Sequence, residues 1–320
     1  MKCSVCFCED LSRLSFREMM FGFRDDFVYL RCNSCGCVQI QDVPEDLSKY
    51  YPDNYYSFVA ETPDPLFVRF LKILRDRWAV FGSGLFGRML YKIRPHTELF
   101  TLQALNPQTN AKILDIGCGS GRFLSSLRRI GFSNLLGIDP FLKEENEISI
   151  DGFSILRKSL FDLPEKNFDF IIMNHSFEHM SDPRDVFSVL KKKLSPHGKI
   201  IIRIPLSDSW AACFYGKDWV QVDAPRHLFL HTRKSIESLA QASGLCVERV
   251  SYDSNAFQFW GSEQYKAGIS LTDERSYAVN PRKSIFSKSK LREFKKESQR
   301  LNDKKMGDQA IFYIKHEVLL

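Results

Sequence analysis

The middle of the chain alternates between short, almost entirely apolar segments and longer segments in which apolar residues recur every three or four positions. The short segments lie at 113–116, 135–138, 168–173, 199–204 and 245–250, and a further one lies at 309–316. We predict that they are strands. Helices are predicted at 122–129, 183–194, 232–244 and 287–305.

Strands that alternate with helices form a doubly wound, parallel α/β sheet. Ligands bind such sheets just beyond the carboxyl ends of the strands. We therefore expect the residues that carry chemistry to lie after the strands, at one edge of the sheet.

A glycine-rich turn follows the first of these strands, in the sequence Lys-Ile-Leu-Asp-Ile-Gly-Cys-Gly-Ser-Gly at 112–121. Gly117, Gly119 and Gly121 allow positive φ angles and close approach of a ligand to the backbone. The turn leads into a helix N-terminus, which attracts electronegative groups. A dinucleotide site would read G-x-G-x-x-G, whereas this chain reads G-x-G-x-G. Asp115 would repel a pyrophosphate and suits a ligand with a cationic end.

The segment Asp-Ile-Gly-Cys-Gly-Ser-Gly resembles the first motif of class I S-adenosylmethionine-dependent methyltransferases. The resemblance implies a mostly parallel seven-stranded sheet whose last strand is antiparallel, and a loop that wraps the methionine part of the cofactor. It assigns cofactor contacts to Asp115, Gly117, Cys118, Gly119, Gly121, Asp139, Ser159, Leu160 and Asn174. Asp139 would bind the ribose, because it ends the second strand about twenty residues past the glycine loop. Ser159 stands where the family usually has an acid.

The segment after the strand at 168–173 contains His175-x-x-Glu178-His179. As an isolated string this is an inverted zinc-peptidase motif, but here it follows a parallel strand and ends at Asp182-Pro183. It resembles instead the Glu-His-x-x-Asp-Pro loop of the methyltransferases. We interpret His179 as a general base or an anchor of the loop. A divalent metal on His175, Glu178 and His179 is the alternative.

A long segment without clear periodicity covers 206–231, and long loops inside compact domains are usually functional. The family builds its acceptor pocket at this position. We predict acceptor contacts by Tyr215, Trp219, Asp223 and Arg226, and a second candidate base at His227. Asp-Ala-Pro-Arg-His-Leu at 223–228 resembles bacterial methyltransferases of surface-polysaccharide and secondary-metabolite pathways. The alternative is a packed lid without contact to the acceptor.

The first 37 residues hold most of the nine cysteines. Cys3-x-x-Cys6 and Cys32-x-x-Cys35 have zinc-ribbon spacing, and four thiolates would leave no open position on the metal. We therefore predict a structural zinc-ribbon-like module at 1–45. Cys8 and Cys37 repeat the offset and are either exchangeable ligands or unligated.

A tyrosine-rich segment at 50–58 is either a packed linker or an aromatic wall for a flat ring or sugar. Residues 65–94 are apolar and basic at helical spacing. Such a helix can contact a membrane surface weakly, but we expect it to pack on its own domain. The predicted organisation is a helical linker or cap at 46–108 and a methyltransferase domain at 109–320, with a helical insertion near 253–308.

The net charge of +6 is too small to argue for a nucleic-acid or membrane partner. The N-terminus is polar and no apolar run approaches transmembrane length, so a cytoplasmic location is expected. The sequence does not determine the oligomeric state.

The sequence thus predicts an enzyme that transfers a methyl group from S-adenosylmethionine to a small molecule, with a sugar or nucleotide-linked sugar as the expected acceptor and carbon or oxygen as the methylated atom. Two alternatives remain: an RNA or protein methyltransferase that uses the ribbon for recognition, and a non-catalytic binding protein. Acidic residues beside the few bases of the ribbon argue against nucleic acid.

Overall fold

The computed structural model describes residues 1–52, 64–142, 148–150, 152–164 and 167–317. In the part so described, no helix is both long and apolar enough to cross a membrane. The predicted aromatic segment at 50–58 lies outside these residues from position 53 onward.

The larger sheet has eight strands in the described part of the chain. They are β4 (Lys112–Ile116), β5 (Asn134–Ile138), β6 (Ile148–Ile150), β7 (Phe153–Leu156), β8 (Phe168–Asn174), β9 (Leu194–Pro205), β11 (Leu245–Tyr252) and β12 (Gln309–His316). Their order is β11-β12-β9-β8-β4-β5-β7-β6. The pairs from β9 through β8, β4 and β5 to β7 are parallel, while β12 is antiparallel to both neighbours. The predicted fold class is confirmed, and β6 adds an antiparallel edge strand to the expected seven.

The longer helices from residue 122 onward are α4 (Arg122–Arg129), α5 (Pro183–Lys193), α7 (Arg233–Ala242), α8 (Phe257–Lys266) and α9 (Lys288–Asp303). Four of these five follow the predicted periodicity, and α8 was not predicted. Pro183 opens α5, and the Thr232 hydroxyl accepts a hydrogen bond from the Ser235 N–H at the start of α7. Both are standard helix-start signals, which is why the sequence located these helices.

The prediction for the start of the fifth strand was wrong by five residues. We expected a loop before Lys199, but β9 begins at Leu194, where it pairs with Phe168 of β8. The polar residues between Leu194 and Lys199 lie at a register shift in the pairing of β8 with β9. Their irregular polarity hid the strand from a search for apolar runs.

The N-terminal residues form a small antiparallel sheet. Its strands are β1 (Leu11–Arg17), β2 (Asp26–Cys32), β3 (Val38–Ile40) and β10 (Phe229–Leu230). Because β10 comes from the segment at 206–231, that segment is not an irregular loop. It contains α6 (Trp210–Tyr215) and then joins the small sheet to the large one.

Two apolar clusters cover the two faces of the large sheet. One includes Leu114 and Ile202 and continues without a break into the small sheet through Tyr29 and Val38. The other includes Ile113 and Ile201 and packs against Ala79. Ala79 lies on α1 (Leu66–Phe81), which is followed by α2 (Leu85–Ile93) and α3 (Thr97–Phe100).

Candidate functional site

The glycine loop between β4 and α4 leaves its backbone open to the C-terminal edge of the sheet. Gly117, Gly119 and Gly121 have φ angles of 74°, 51° and 76°, which non-glycine residues rarely adopt. A Cβ atom on Gly117 would lie 2.5 Å from the Cβ of Ser176. The loop therefore requires glycine both for its backbone conformation and for its contact with the segment after β8.

Asp139 lies directly after β5 and holds the loop in place. Its Oδ2 accepts a hydrogen bond from the Gly119 N–H at 3.0 Å, and its Oδ1 accepts one from the Phe141 N–H at 2.9 Å. Burial raises the pKa of Asp139, although these two N–H groups oppose the rise. Each carboxylate oxygen keeps a second lone pair, so the group can still accept hydrogen bonds from two vicinal hydroxyls.

Beside the loop, a cavity of about 210 Å³ is lined by Asp115, Cys118, Asn174 and Glu98. Burial raises the pKa of Asp115 to about 8, and the charges of Glu98 and Asp139 add to the rise. The amide nitrogen and oxygen of Asn174 are buried without a hydrogen-bond partner. Such atoms are costly unless a ligand satisfies them, and the carboxyl groups suit a ligand that carries an ammonium group.

On the other side of Gly117, a second cavity of about 240 Å³ is lined mostly by apolar groups. Tyr51 and Phe141 stack with their ring centroids 5.9 Å apart and form one wall. Leu160 and Ser159 lie on the opposite side, and the Ser159 hydroxyl donates to Asp162 at 2.6 Å. Together the two cavities match the two halves of S-adenosylmethionine. The apolar cavity suits its flat ring, and the polar cavity suits its amino-acid part.

A third cavity, of about 300 Å³, is strongly polar. Its walls come from the C-terminal ends of β9 and β11 and the start of β12. They include Arg203, Gln221, Asn255, Gln258, Asp308 and Gln309. The side-chain oxygen of Gln258 is buried without a partner, and burial raises the pKa of Asp308 to about 6 despite hydrogen bonds from Trp219 and Ser254.

His175 lines all three cavities. Its φ angle of 51° places it in the left-handed region, which is unusual for a residue with a side chain. The His175 Nδ1–H donates to Oε1 of the buried Glu178 at 3.2 Å, and this contact leaves the imidazole Nε2 as an acceptor. Burial alone would raise the pKa of Glu178, but the hydrogen bond from His175 and the electrostatic effects of the three neighbouring histidines together outweigh it and lower the pKa to about 2.

His179 and His227, the two predicted bases, lie beside Glu178. Their rings are 4.8 Å apart, and the Nδ1–H of each donates to a backbone carbonyl: Arg226 for His179 and Gln221 for His227. His179 lines the apolar cavity. His227 is buried and lines none of the three, and burial lowers its pKa to about 4. Single ligand atoms of Glu178, His179 and His227 lie within 4.8 Å of one another, so these residues, rather than the predicted trio, fit a metal ion.

The four predicted acceptor residues occupy other places. The Arg226 guanidinium is buried and pairs with Glu18 of the small sheet and with Asp223. We call Arg226, Glu18 and Asp223 the interface ion cluster. The Trp219 Nε1–H donates to Asp308 at 3.1 Å, and the Tyr215 hydroxyl donates to Glu263 at 2.9 Å.

None of these four residues is among those that line the three cavities in the described part of the chain. The Asp-Ala-Pro-Arg-His-Leu segment joins the two sheets instead. The residue types of this segment are compatible with binding an acceptor and with joining the two sheets, and only the tertiary contacts distinguish these two roles.

The four cysteines predicted to bind zinc come together in the small sheet. The Sγ atoms of Cys3 and Cys35 are 3.6 Å apart, those of Cys6 and Cys32 are 3.5 Å apart, and all four lie within 4.8 Å of one another. Tetrahedral Zn–S bonds of about 2.3 Å place sulfurs at similar separations. Outside this group, Cys37 is buried next to His231 at 3.8 Å.

A family described as a methyltransferase domain matches residues 88–250, just over half of the chain. The chain belongs to this methyltransferase family. As the cavities around the glycine loop indicate, it is an S-adenosylmethionine-dependent methyltransferase of class I, and the prediction of an enzyme is confirmed.

Curated relatives of the methyltransferase include a ubiquinone biosynthesis O-methyltransferase of Pasteurella multocida. It is 23% identical over 226 residues, which cover 62% of this chain and 92% of the relative. The EEF1A lysine methyltransferase 2 of Danio rerio is 54% identical over 44 residues, 14% of this chain and 19% of the relative. Among solved structures, an S-adenosylmethionine-dependent methyltransferase from Mesorhizobium loti has 17% identity and a TM-score of 0.40, covering 68% of this chain and 96% of that one.

Residues of the methyltransferase's cavities that the sequence did not assign to a site include Glu98, Tyr51, Phe141 and Asp308. Glu98 lies before the predicted start of the domain at 109, and no motif marks it, although the family match begins at 88. Tyr51 was named only as part of an aromatic segment. Phe141 follows the Asp-Pro pair after β5, and its position two residues past Asp139 was the signal that could have found it.

Proposed function

We propose that the methyltransferase transfers the methyl group of S-adenosylmethionine to a hydroxyl of a small polar acceptor, a sugar or a nucleotide-linked sugar. The observation that carries the proposal is the meeting of three cavities at His175, two of which have the shape and polarity for the cofactor. The third is lined by amides, two carboxyl groups and a guanidinium, the groups that hydrogen-bond sugar hydroxyls. Phe257 offers an apolar face in the same cavity.

The cofactor residues are proposed as follows. Asp139 accepts the ribose hydroxyls, Leu160 packs on the adenine, and Asp115 with Glu98 faces the ammonium group. Gly117, Cys118, Gly119 and Gly121 supply backbone contact, and Asn174 supplies its unpaired amide. Ser159 lines the cavity but donates no hydrogen bond to the cofactor, because its hydroxyl already donates to Asp162.

When bound, S-adenosylmethionine supplies an electrophilic methyl group. The chain's own part is to align the acceptor and to accept its proton. The Nε2 of His175 takes the hydroxyl proton as the oxygen attacks, and the Glu178 carboxylate stabilises the imidazolium that forms. We therefore propose His175 as the base instead of His179 or His227, since His227 lines none of the three cavities and His179 lines only the apolar one.

The names of the ubiquinone biosynthesis O-methyltransferases support methylation of oxygen, and an acceptor of the ubiquinone pathway is the alternative they suggest. A sugar is preferred because the third cavity is polar on most of its surface and holds an unpaired buried amide oxygen on Gln258. RNA or protein as the acceptor ranks as the second alternative, because the third cavity offers no feature that suits a polymer chain.

The test is methyl transfer from labelled S-adenosylmethionine to a panel of nucleotide-linked sugars, free sugars, catechols and tRNA. We expect turnover on a member of the sugar group. His175→Gln should lower kcat by about 10²–10⁴-fold with little change in cofactor affinity. The matched variant His227→Gln should keep most of the turnover. Transfer to catechols or tRNA alone, or full activity of His175→Gln, would contradict the proposal.

We also propose that Cys3, Cys6, Cys32 and Cys35 hold a structural zinc ion, as in a zinc ribbon. Their four Sγ atoms lie within 4.8 Å of one another, as the ligands of a tetrahedral Zn–S site do. Metal analysis of the purified protein should find one zinc per chain. Cys6→Ser should lose the zinc, whereas Cys246→Ser, a partly buried cysteine outside the group, should retain it.

A further inference from the structure

The helices α1 and α2 form a hairpin that is only half covered by the rest of the molecule. Gly87 lets the helices touch, because a Cβ atom there would collide with the carbonyl oxygen of Leu74. The C-terminal half of α1 is buried through Ala79 and Val80. The N-terminal half of α1 and the outer face of α2 are not.

The uncovered part of the hairpin carries a concentration of large apolar side chains. Leu85 is 85% exposed, Leu66 is 84% exposed and Ile93 is 75% exposed. Phe67, Phe70 and Met89 are also exposed. Leu85, Met89 and Ile93 follow one another at four-residue spacing, so they form one stripe along α2. Contiguous exposed patches of this kind mark binding surfaces rather than ordinary surface residues.

The charges beside this stripe have one sign. Arg69, Arg88 and Lys92 are exposed, and α2 contains no acidic residue. The single acid of α1, Asp76, is buried against Arg75 and His96. The uncovered surface is therefore apolar with a basic rim.

A cavity of about 330 Å³ at the base of the hairpin extends the basic rim. Its lining bases are Lys72, Arg75, Arg94, Arg122 and Arg129, and its lining acid is Glu98. Lys72 is paired with Asp64 and Arg75 with Asp76, so the arginines at 94, 122 and 129 carry the excess of positive charge. The Nε of Arg129 is buried without a partner. Such a cavity suits a phosphate group.

Apolar side chains with a basic rim are complementary to a bilayer that contains anionic phospholipids. A second copy of the chain on the same surface would bring basic rims together by two-fold symmetry, and like charges would oppose that contact. The most exposed side chains of the surface, Leu66, Leu85 and Ile93, are aliphatic and cannot stack on the bases of a nucleic acid.

We propose that the α1–α2 hairpin docks the enzyme on the surface of an anionic phospholipid bilayer. The exposed apolar side chains enter the boundary between head groups and acyl chains. The basic rim and the cavity with Arg94 and Arg129 bind lipid phosphates. The sequence favoured packing of the whole 65–94 region on its own domain, and the structure limits that packing to the second half of α1.

The test is flotation of the full-length protein with vesicles of phosphatidylcholine that contain about 30% phosphatidylglycerol. Wild type should bind these vesicles, bind pure phosphatidylcholine much less, and dissociate as the salt concentration rises. The triple variant Leu66→Ser/Leu85→Ser/Ile93→Ser should lose at least about tenfold in binding. Arg88→Glu/Lys92→Glu should lose about fivefold or more for each charge.

Two matched controls come from other surfaces. Val43→Ser/Val279→Ser/Ile285→Ser removes exposed apolar residues elsewhere, and Lys295→Glu/Lys296→Glu reverses exposed charges on the basic helix α9. Both should bind vesicles as wild type does. Equal losses in the controls, or no binding by wild type, would overturn the proposal.

Three further outcomes would also overturn it. A wild-type dimer in light scattering that becomes a monomer in the triple variant would assign the surface to a second copy. A fall in the thermal stability of the triple variant would show that other residues of the same chain cover the α1–α2 surface. Release from vesicles by millimolar glycerol phosphate would assign the cavity to a free phosphate ester.

Discussion

The interface ion cluster and the walls of the cofactor cavities both contain buried charged residues. In the interface ion cluster the Arg226 guanidinium donates to Glu18, Asp223 and the Tyr50 carbonyl, and Glu18 also accepts from two backbone N–H groups. Around the cofactor cavities, polar atoms of Asn174 and Glu178 have no partner among the residues that the structure describes.

This difference separates structural from chemical roles. A buried charge whose polar atoms are all satisfied by the protein stabilises the fold and has nothing left to bind a ligand. Buried polar atoms that lack partners at the wall of a cavity cost free energy, which a ligand can recover. The sequence predicted a substrate role for Arg226 from residue type and position. The hydrogen bonds that Arg226 already makes within the protein explain why its role is structural instead.

The largest effect should come from breaking the interface ion cluster. In Arg226→Met, Glu18 and Asp223 remain buried without their cation, so the free energy of unfolding should fall by about 3–5 kcal/mol. Urea denaturation measures it. Arg233→Met, which removes an exposed pair with Glu237, should change stability by less than about 0.5 kcal/mol. If the folded Arg226→Met protein lost its cofactor affinity, the division between the two groups would fail.

The next effect concerns Asp139. Asp139→Asn should weaken S-adenosylmethionine binding by about 10–150-fold, because one charged acceptor of the ribose hydroxyls becomes a donor. Isothermal titration calorimetry gives the dissociation constant. Asp308→Asn, a change in the third cavity, should bind the cofactor normally but turn over slowly. Similar cofactor affinities for wild type and Asp139→Asn would exclude the ribose role.

A smaller effect is expected from the pH dependence of cofactor binding. With its pKa raised to about 8, Asp115 is mostly protonated in the free protein at pH 6–7. The cofactor ammonium favours the carboxylate, so binding releases a proton, and affinity should rise by at most about tenfold per pH unit up to about pH 8. Calorimetry in buffers of different ionisation enthalpy measures the released proton.

The same pKa predicts a change in the free protein. Because folding raises the pKa of Asp115, its contribution to stability is full below the unfolded value of about 4 and is lost as the pH rises to about 8. Asp115→Asn should remove this loss and should also remove the pH dependence of binding. A wild-type affinity that does not vary between pH 6 and 8 would contradict the assignment of Asp115.

The smallest effect should be that of Ser159. Its hydroxyl is satisfied by Asp162, as the groups of the interface ion cluster are by one another. Ser159→Ala should therefore change the cofactor dissociation constant by less than about threefold. A fluorescence titration resolves such a difference, and a loss above tenfold would show that the adenine contact predicted from the family does exist.

The sequence by itself determined the parallel sheet, the glycine loop, the position of Asp139 and the cysteine group. Each of these depends on local chemistry: periodicity reveals which face is buried, positive φ angles require glycine, and metal ligands keep a fixed spacing. The start of β9 escaped prediction because its first residues are polar and follow a register shift.

Only the tertiary structure decided which buried polar groups face a cavity. Glu98 reaches the cofactor cavity from a helix that no motif marks, His175 lies where three cavities meet, and Arg226 is bound to Glu18, 208 positions away in the chain. The partners of a side chain come from distant segments, so residue type limits what a group can do but does not show which of its hydrogen bonds the fold has already used.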